Sequence, residues 1–261
     1  MHLINQDLRP VRGPIRLSQV VLSPSLCVRY RWYPPTKFLA EWIMALLLLI
    51  PVGLLIGALA VLVKITSPGR AFYRQKRVGL NGRIFTMIKI RSMIENSEAK
   101  TGAVWSQPGD PRVTKIGRIL RDTHMDELPQ LWNVLRGEMS LIGPRPERPE
   151  IVSRLEASIP NYRDRMMARP GLTGLAQVQL PPDSDDTSVK RKLAYDRYYV
   201  EQMSPWLDTR IAVSTFFYFS SAAFNALCHL FVRSYGKDIE ENFLDPDLVD
   251  AGQSQPATVA G

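Results

Sequence analysis

An α+β, mostly helical fold, associated with a membrane through a kinked, re-entrant N-terminal helix, is what this sequence predicts. Three observations carry that reading. Trp42 to Val63 contains no charged residue and, as a helix, is long enough to cross about 30 Å of hydrocarbon. Ala71 to Val78 and Ile84 to Ile90 read as short strands joined by the turn at Leu80-Asn-Gly82, a hairpin signal. Further on, Leu128, Leu131, Trp132 and Leu135 recur at helical spacing. The 261 residues divide accordingly into a basic arm (1–36), a membrane helix (37–66), a central domain (67–210), an amphipathic interfacial helix (211–236) and a tail (237–261) whose end is expected to be disordered.

The Met1 end does not read as a secretory signal, because the apolar run starts near residue 38 and no small-residue cleavage site follows it. Arg9, Arg12, Arg16, Arg29, Arg31 and Lys37 precede the run. Lys64, Arg70, Arg74, Lys76 and Arg77 follow it, with no acid until Glu95. Flanks that are positive on both sides favour the same face of the membrane for both. A single straight span cannot satisfy that, whereas a helix that re-enters its own leaflet can. The kink is expected at Ile50-Pro51, since proline removes a backbone hydrogen bond and clashes with the preceding turn. The alternative is a straight span that tolerates Pro51, as membrane helices can.

In the central part, Ser67-Pro68-Gly69 ends the membrane helix. Thr114 to Arg121 predicts a helix with Ile116, Ile119 and Leu120 inward. The next helix has Pro129 in its first turn and Gly137 just past its end. Glu147 to Met167 predicts mostly helix with an interruption near Pro160, Leu172 to Val178 a strand, Pro181 to Asp186 a polar loop, and Val189 to Gln202 a helix. Ile211 to Val232 is uncharged but has a polar stripe of Ser214, Tyr218, Ser221, Asn225 and His229. That pattern fits a helix lying in the membrane interface or packing its stripe on the globular part, with a second span as the alternative.

The net charge of +8 points to an anionic partner such as lipid head groups or phosphorylated substrates. Nucleic acid is not expected, because no zinc-finger, helix-turn-helix or aromatic ribonucleoprotein pattern accompanies the charge. Cys27 and Cys228 are too few and too far apart for a disulfide framework or a metal site, which fits a reducing environment.

The candidate chemistry centres on Asp126-Glu127, with Arg118 and Arg121 before the pair and Gly143-Pro144-Arg145-Pro146 after it. A helix starting near Glu127 would put both carboxylates at its N-terminus, where unpaired N–H groups also attract phosphate. The plain structural alternative is an N-cap followed by a first-turn acid. Adjacent helical residues point about 100° apart, so the two acids cannot do the same job on one atom. Carboxylates among fixed cations suit a magnesium-bound diphosphate, and the membrane segment suggests a lipid as the other substrate. Pro144 and Pro146 fix the backbone around Arg145 for bidentate phosphate recognition, or simply make a surface turn. Lys89 and Arg91, at the end of the second strand, are either a further cationic wall or its solvated end. His124 is expected to be structural.

The chain resembles the bacterial sugar transferases, or monotopic phosphoglycosyl transferases, in their short form, from about Lys37 to Thr215. The resemblance rests on Ser67-Pro-Gly69, Gln75-Lys-Arg-Val-Gly79, Lys89-Ile-Arg-Ser-Met93, Asp110-Pro-Arg-Val-Thr114 and Asp126-Glu-Leu-Pro-Gln130. It continues through Asn133-Val-Leu-Arg-Gly137, Met139-Ser-Leu-Ile-Gly-Pro-Arg-Pro146, Arg169-Pro-Gly-Leu-Thr-Gly-Leu-Ala-Gln177 and Tyr195-Asp-Arg-Tyr-Tyr199. It implies transfer of a sugar-1-phosphate from a UDP-sugar to undecaprenyl phosphate, releasing UMP and starting a polysaccharide or glycoconjugate at the bacterial inner membrane, cytoplasmic face. It further implies Mg2+ held through Asp126, Asp126 as nucleophile and Glu127 as its acidic partner. Lys89, Arg112, Arg121 and Arg145 would line the phosphate and nucleotide site, with Arg91, Pro144 and Pro146 counted as substrate-binding. The sequence departs from the family at Ile50-Pro51, where Ser-Pro is frequent, at His124-Met125, and after Gln177. The alternative is a non-catalytic membrane scaffold that recruits downstream glycosyltransferases. A homo-oligomer is compatible with either reading.

Overall fold

The computed structural model describes residues 29–30, 32–97, 109–181 and 186–218, together with the isolated positions 239 and 243. Its first element is a single 34-residue helix, α1 (Tyr33–Thr66), which runs without interruption through Pro51. One face of α1 packs on the rest of the molecule along its whole length. Tyr33 joins the cluster built by the C-terminal helices. Ala45 and Val52 meet Phe85, Met87, Leu131, Val134 and Met139, and Leu59 and Val63 meet Ile90 and Leu120. Trp42 adds a hydrogen bond from Nε1 to the Leu135 carbonyl, 3.0 Å. The other faces hold Leu47, Ile50, Leu54 and Ile65, all exposed. Only 6% of the most apolar window is buried, and the helix is long and apolar enough to cross a membrane.

The hairpin forms as the sequence predicts. Strands β1 (Phe72–Val78) and β2 (Ile84–Ile90) pair antiparallel from Phe72↔Ile90 to Val78↔Ile84. Asn81 turns the chain in the left-handed region, φ 53, where asparagine is tolerated better than most residues. After β2, helix α2 (Lys115–Asp122) starts at Thr114, whose hydroxyl accepts from the Gly117 N–H, 2.9 Å. A Cβ on Gly117 would lie 1.9 Å from the Ser92 carbonyl oxygen, so glycine is what lets α2 sit against the end of β2. Leu120 is buried as expected, but Ile119 is 57% exposed. The short helix turns Leu120 inward and leaves its neighbour outside.

A 3-10 turn (Met125–Gln130) leads into α3 (Leu131–Leu135), and Gly137 follows at φ 72. Strand β3 (Ser140–Ile142) then pairs parallel with β4 (Gly171–Thr173). Between them lie α4 (Pro149–Ser158) and a 3-10 turn (Tyr162–Met167), with the break near Pro160 that the sequence predicts. The strand expected over Leu172 to Val178 is only its first part. Leu175–Gln179 is a helix, α5, and its Gln177 side-chain amide donates back to the Leu172 carbonyl of β4, 3.0 Å. Helices α6 (Asp186–Gln202) and α7 (Pro205–Tyr218) complete the described fold. Ser214 is buried and Phe216 exposed. Ser221, Asn225 and His229 lie outside the described residues, as do residues 1–28 of the arm and all of the tail except 239 and 243.

The β3–β4 crossing is built from glycines. A Cβ on Gly143 would lie 2.3 Å from the Arg169 carbonyl oxygen, and one on Gly174 would lie 2.1 Å from that of Gly143. Gly143→Ala is therefore expected to cost about 2 kcal/mol through overpacking and to lower the melting temperature of the detergent-solubilised protein. An unchanged transition would show that the crossing gives way freely.

A polar cluster ties the start of α1 to α7 and β3. Asp208 accepts from the Tyr33 hydroxyl (2.6 Å), the Lys37 ammonium (2.5 Å) and the Tyr199 hydroxyl (2.8 Å). Lys37 also pairs with Glu41, 2.6 Å. Glu41 in turn accepts from the Ser140 hydroxyl and the Ile142 N–H.

Candidate active site

The acidic pair is presented by a sharp reversal rather than by an α-helix start. His124 holds the left-handed conformation, φ 54, and its carbonyl accepts from the Glu127 N–H, 3.1 Å. Asp126 and Glu127 follow inside the 3-10 turn, so neither is an N-cap. Met125 stands before them. The expected placement at the N-terminus of an α-helix is thus corrected: α3 begins only at Leu131, because Pro129 and the tight turn delay it. His124 shapes this reversal and also lines the cavity in front of the pair.

Both carboxylates are buried, and their surroundings differ. Glu127 accepts from the Lys89 ammonium at 2.7 Å and from the Arg145 guanidinium at 2.6 Å. Burial alone would raise its pKa, but Arg145 and Lys89 outweigh that and hold it far below the usual carboxylate range. Among the described residues no hydrogen bond or ion pair reaches the Asp126 carboxylate. Burial pushes its pKa up, Lys89 and Arg121 oppose the shift, and the adjacent Glu127 charge adds to it. Lys89 is lowered by burial despite Glu127. Arg145 is raised, chiefly by Glu127. Two neighbouring acids therefore have two roles: Glu127 neutralises and fixes two cations, and Asp126 keeps its oxygens available.

The loop that carries Arg145 is gripped from both sides. The Arg165 guanidinium donates to the Arg145 carbonyl, 2.9 Å, and pairs with Asp196, 2.7 Å. Arg77 donates to the Pro146 carbonyl, 2.9 Å, and the Pro144 carbonyl accepts from the Gly171 N–H, 2.9 Å. Pro144 and Pro146 are buried, so they shape the loop, while Arg145 keeps 41% of its side chain exposed. Sequence reasoning placed Arg77 only in the positive flank of the apolar helix and gave no role to Arg165. Arg77 lies in a quoted motif, but Arg165 stands in a segment of mixed charge with nothing to single it out.

Lys89, Arg121, Asp126, Glu127 and Arg145 line one cavity of about 2390 Å³. Arg121 also donates from Nε to the Ser92 hydroxyl, 2.8 Å. The structure does not bring Arg112 to this cavity; it forms a fork with Asp110, 2.6 Å at the closest. Arg91 reaches the cavity wall, but its guanidinium holds the Ser67 and Pro68 carbonyls at the end of α1. Ile50 and Pro51 lie on exposed faces of α1.

Residues 32–221 match the model of the family described as bacterial sugar transferase. The chain belongs to this family. A relative from Aeromonas hydrophila, named UDP-N-acetylgalactosamine-undecaprenyl-phosphate N-acetylgalactosaminephosphotransferase, is 47% identical over 60% of this chain and 37% of its own length. A UDP-glucose:undecaprenyl-phosphate glucose-1-phosphate transferase from Xanthomonas campestris pv. campestris is 39% identical over 72% of this chain and 39% of its own. One of the same name from Caulobacter vibrioides is 46% identical over 62% of this chain and 60% of its own. The match thus spans between about a third and three fifths of these sugar transferases.

Proposed function

We propose that the protein transfers a sugar-1-phosphate from a UDP-sugar to undecaprenyl phosphate, giving undecaprenyl-diphosphate-sugar and UMP. The observation that carries this is the contrast inside the acidic pair: a buried carboxylate without a bonding partner, Asp126, beside one that is fully paired. A buried charge left unpaired costs stability, and a protein that only anchored partners would have no use for it. The names of the relatives support the same reaction class.

In this reading an oxygen of Asp126 attacks the phosphorus that bears the sugar, and the bond to UMP breaks. An oxygen of undecaprenyl phosphate then attacks the same phosphorus, the bond to Asp126 breaks, and the carboxylate is restored. Such covalent catalysis divides one difficult displacement into two. Lys89, Arg121 and Arg145 bind the diphosphate and offset the charge that builds up on it. Glu127 keeps Lys89 and Arg145 in place. Magnesium fits this donor set modestly. Among the described residues no three of His, Cys, Asp or Glu form a metal cluster, so the ion would rest on Asp126, with substrate oxygens completing its shell. When bound it would reduce the repulsion between carboxylate and diphosphate.

Both ends of α1 pack on the same globular body, and this supports a helix that returns to the cytoplasmic face of the inner membrane rather than one that leaves the domain behind. The test is UMP release by detergent-solubilised protein given undecaprenyl phosphate, magnesium and a panel of UDP-sugars. Release with one donor, lost on chelation, is the expected result and names the sugar. Silence across the panel would favour the scaffold.

A further inference from the structure

The cavity has room for more than one small molecule. At about 2390 Å³ it exceeds the roughly 300–1,000 Å³ of a pocket that takes one small molecule. Its regions also differ in chemistry. The walls at Asp126 are charged, while α1 and α7 add apolar residues to the lining beside Lys37, Glu41 and Asp208. Ala40, Met44 and Leu48 line it from α1 at intervals of four residues, one face of the helix, and Ala212 and Phe216 line it from α7. Leu172 of β4 lines the same space.

The two helices are joined where Tyr33 and Lys37 of α1 meet Asp208 of α7, at 2.6 and 2.5 Å. Beyond that junction the groove walls stay open: Met44 is 50% exposed and Phe216 is 70% exposed. Ala40 of α1 and Ala212 of α7, both small and exposed, line the cavity from the two helices. An apolar groove that is continuous with a charged site suits a molecule with a hydrocarbon chain and a phosphate head.

We infer that the α1–α7 groove holds the polyprenyl chain of the lipid acceptor and directs its phosphate toward Asp126. This rests on the proposed reaction for the identity of the acceptor. A bulk phospholipid would gain the apolar contacts alone, whereas the polyprenyl phosphate gains both these and the cations near the acidic pair.

The experiment plugs the groove. Ala40→Trp and Ala212→Trp add bulk at exposed positions, so folding is preserved, and Leu54→Ala, 78% exposed and away from the cavity, serves as the control. Each plug is expected to raise KM for undecaprenyl phosphate by about tenfold or more. The single-turnover burst of UMP from the UDP-sugar alone should not change. In the unmodified protein, a diazirine-bearing isoprenyl phosphate should label peptides containing Met44 or Phe216, and undecaprenyl phosphate should displace it while phosphatidylcholine does not. Labelling elsewhere, equal displacement by phosphatidylcholine, or an unchanged KM in both plugged variants overturns the groove. Labelling here without any UMP burst in the unmodified protein overturns the reaction and leaves the groove standing.

Discussion

Asp126→Asn is expected to abolish turnover while leaving the melting temperature unchanged or higher. Asparagine keeps the size of the side chain but offers no anionic oxygen, and loss of a nucleophile costs on the order of 10³–10⁶-fold in rate. Stability should move the other way. Burial raises the folded pKa of Asp126 above its ordinary 3.8. The group therefore favours folding below pH 3.8 and loses that contribution as pH rises through its folded value. At pH 7 its charge opposes folding, and the neutral amide relieves that cost. The same shift places the acid limb of the rate profile above pH 3.8, because the proposed attack by Asp126 needs the ionised carboxylate. UMP release and thermal unfolding, measured on one preparation, check both halves. A large fall in melting temperature would make Asp126 a structural residue, and retained turnover would remove it from the chemistry.

Glu127→Gln has the reverse balance. It leaves two cations, Lys89 and Arg145, without their shared anion, in a place where the Glu127 side chain is 11% exposed and that of Lys89 is 16% exposed. Breaking a buried pair by removing one partner costs about 3–5 kcal/mol, and partial access of Arg145 to solvent sets the effect toward the lower end. The folded pKa of Glu127 lies below its ordinary 4.5, so its contribution is present above pH 4.5 and is lost as pH falls through the folded value. Stability of the unmodified protein should thus decline in acid, while the contribution of this site is absent from the variant at every pH. Turnover should fall as well, because Arg145 loses the contact that aims it. Equal melting curves for the two proteins would show that the cations find other partners.

The hairpin was legible because Asn81 and Gly82 mark a turn between two short apolar-rich segments, and local chemistry decides such a turn. The acidic pair and Arg145 were legible as motifs, and the structure brings them together with Lys89. Their division of labour was not, since it depends on Lys89 and Arg145 converging on one carboxylate from distant segments. Leu172 to Val178 read as a strand, but the chain turns helical after Gly174, where close packing on Gly143 fixes the path. Arg91 and Arg112 read as cations of the site, yet carbonyls at 67 and 68 engage the first and Asp110 the second. Strand β3 was missed because three residues leave no periodicity to detect. Arg165 was missed because it reaches the site through the Arg145 backbone carbonyl, which carries no mark in the sequence, and its ion-pair partner Asp196 comes from a separate helix.

The stripe on α1 from Tyr33 to Val63 means that the apolar helix cannot be separated from the rest of the fold. Phe85, Met87, Val134 and Met139 complete their cluster with Ala45, and Ile90 and Leu120 complete theirs with Val63. Trimming the helix away would strip two apolar cores at once, so a water-soluble version cannot be obtained by deletion alone. A fold that borrows its membrane helix as core is bound to work at the bilayer.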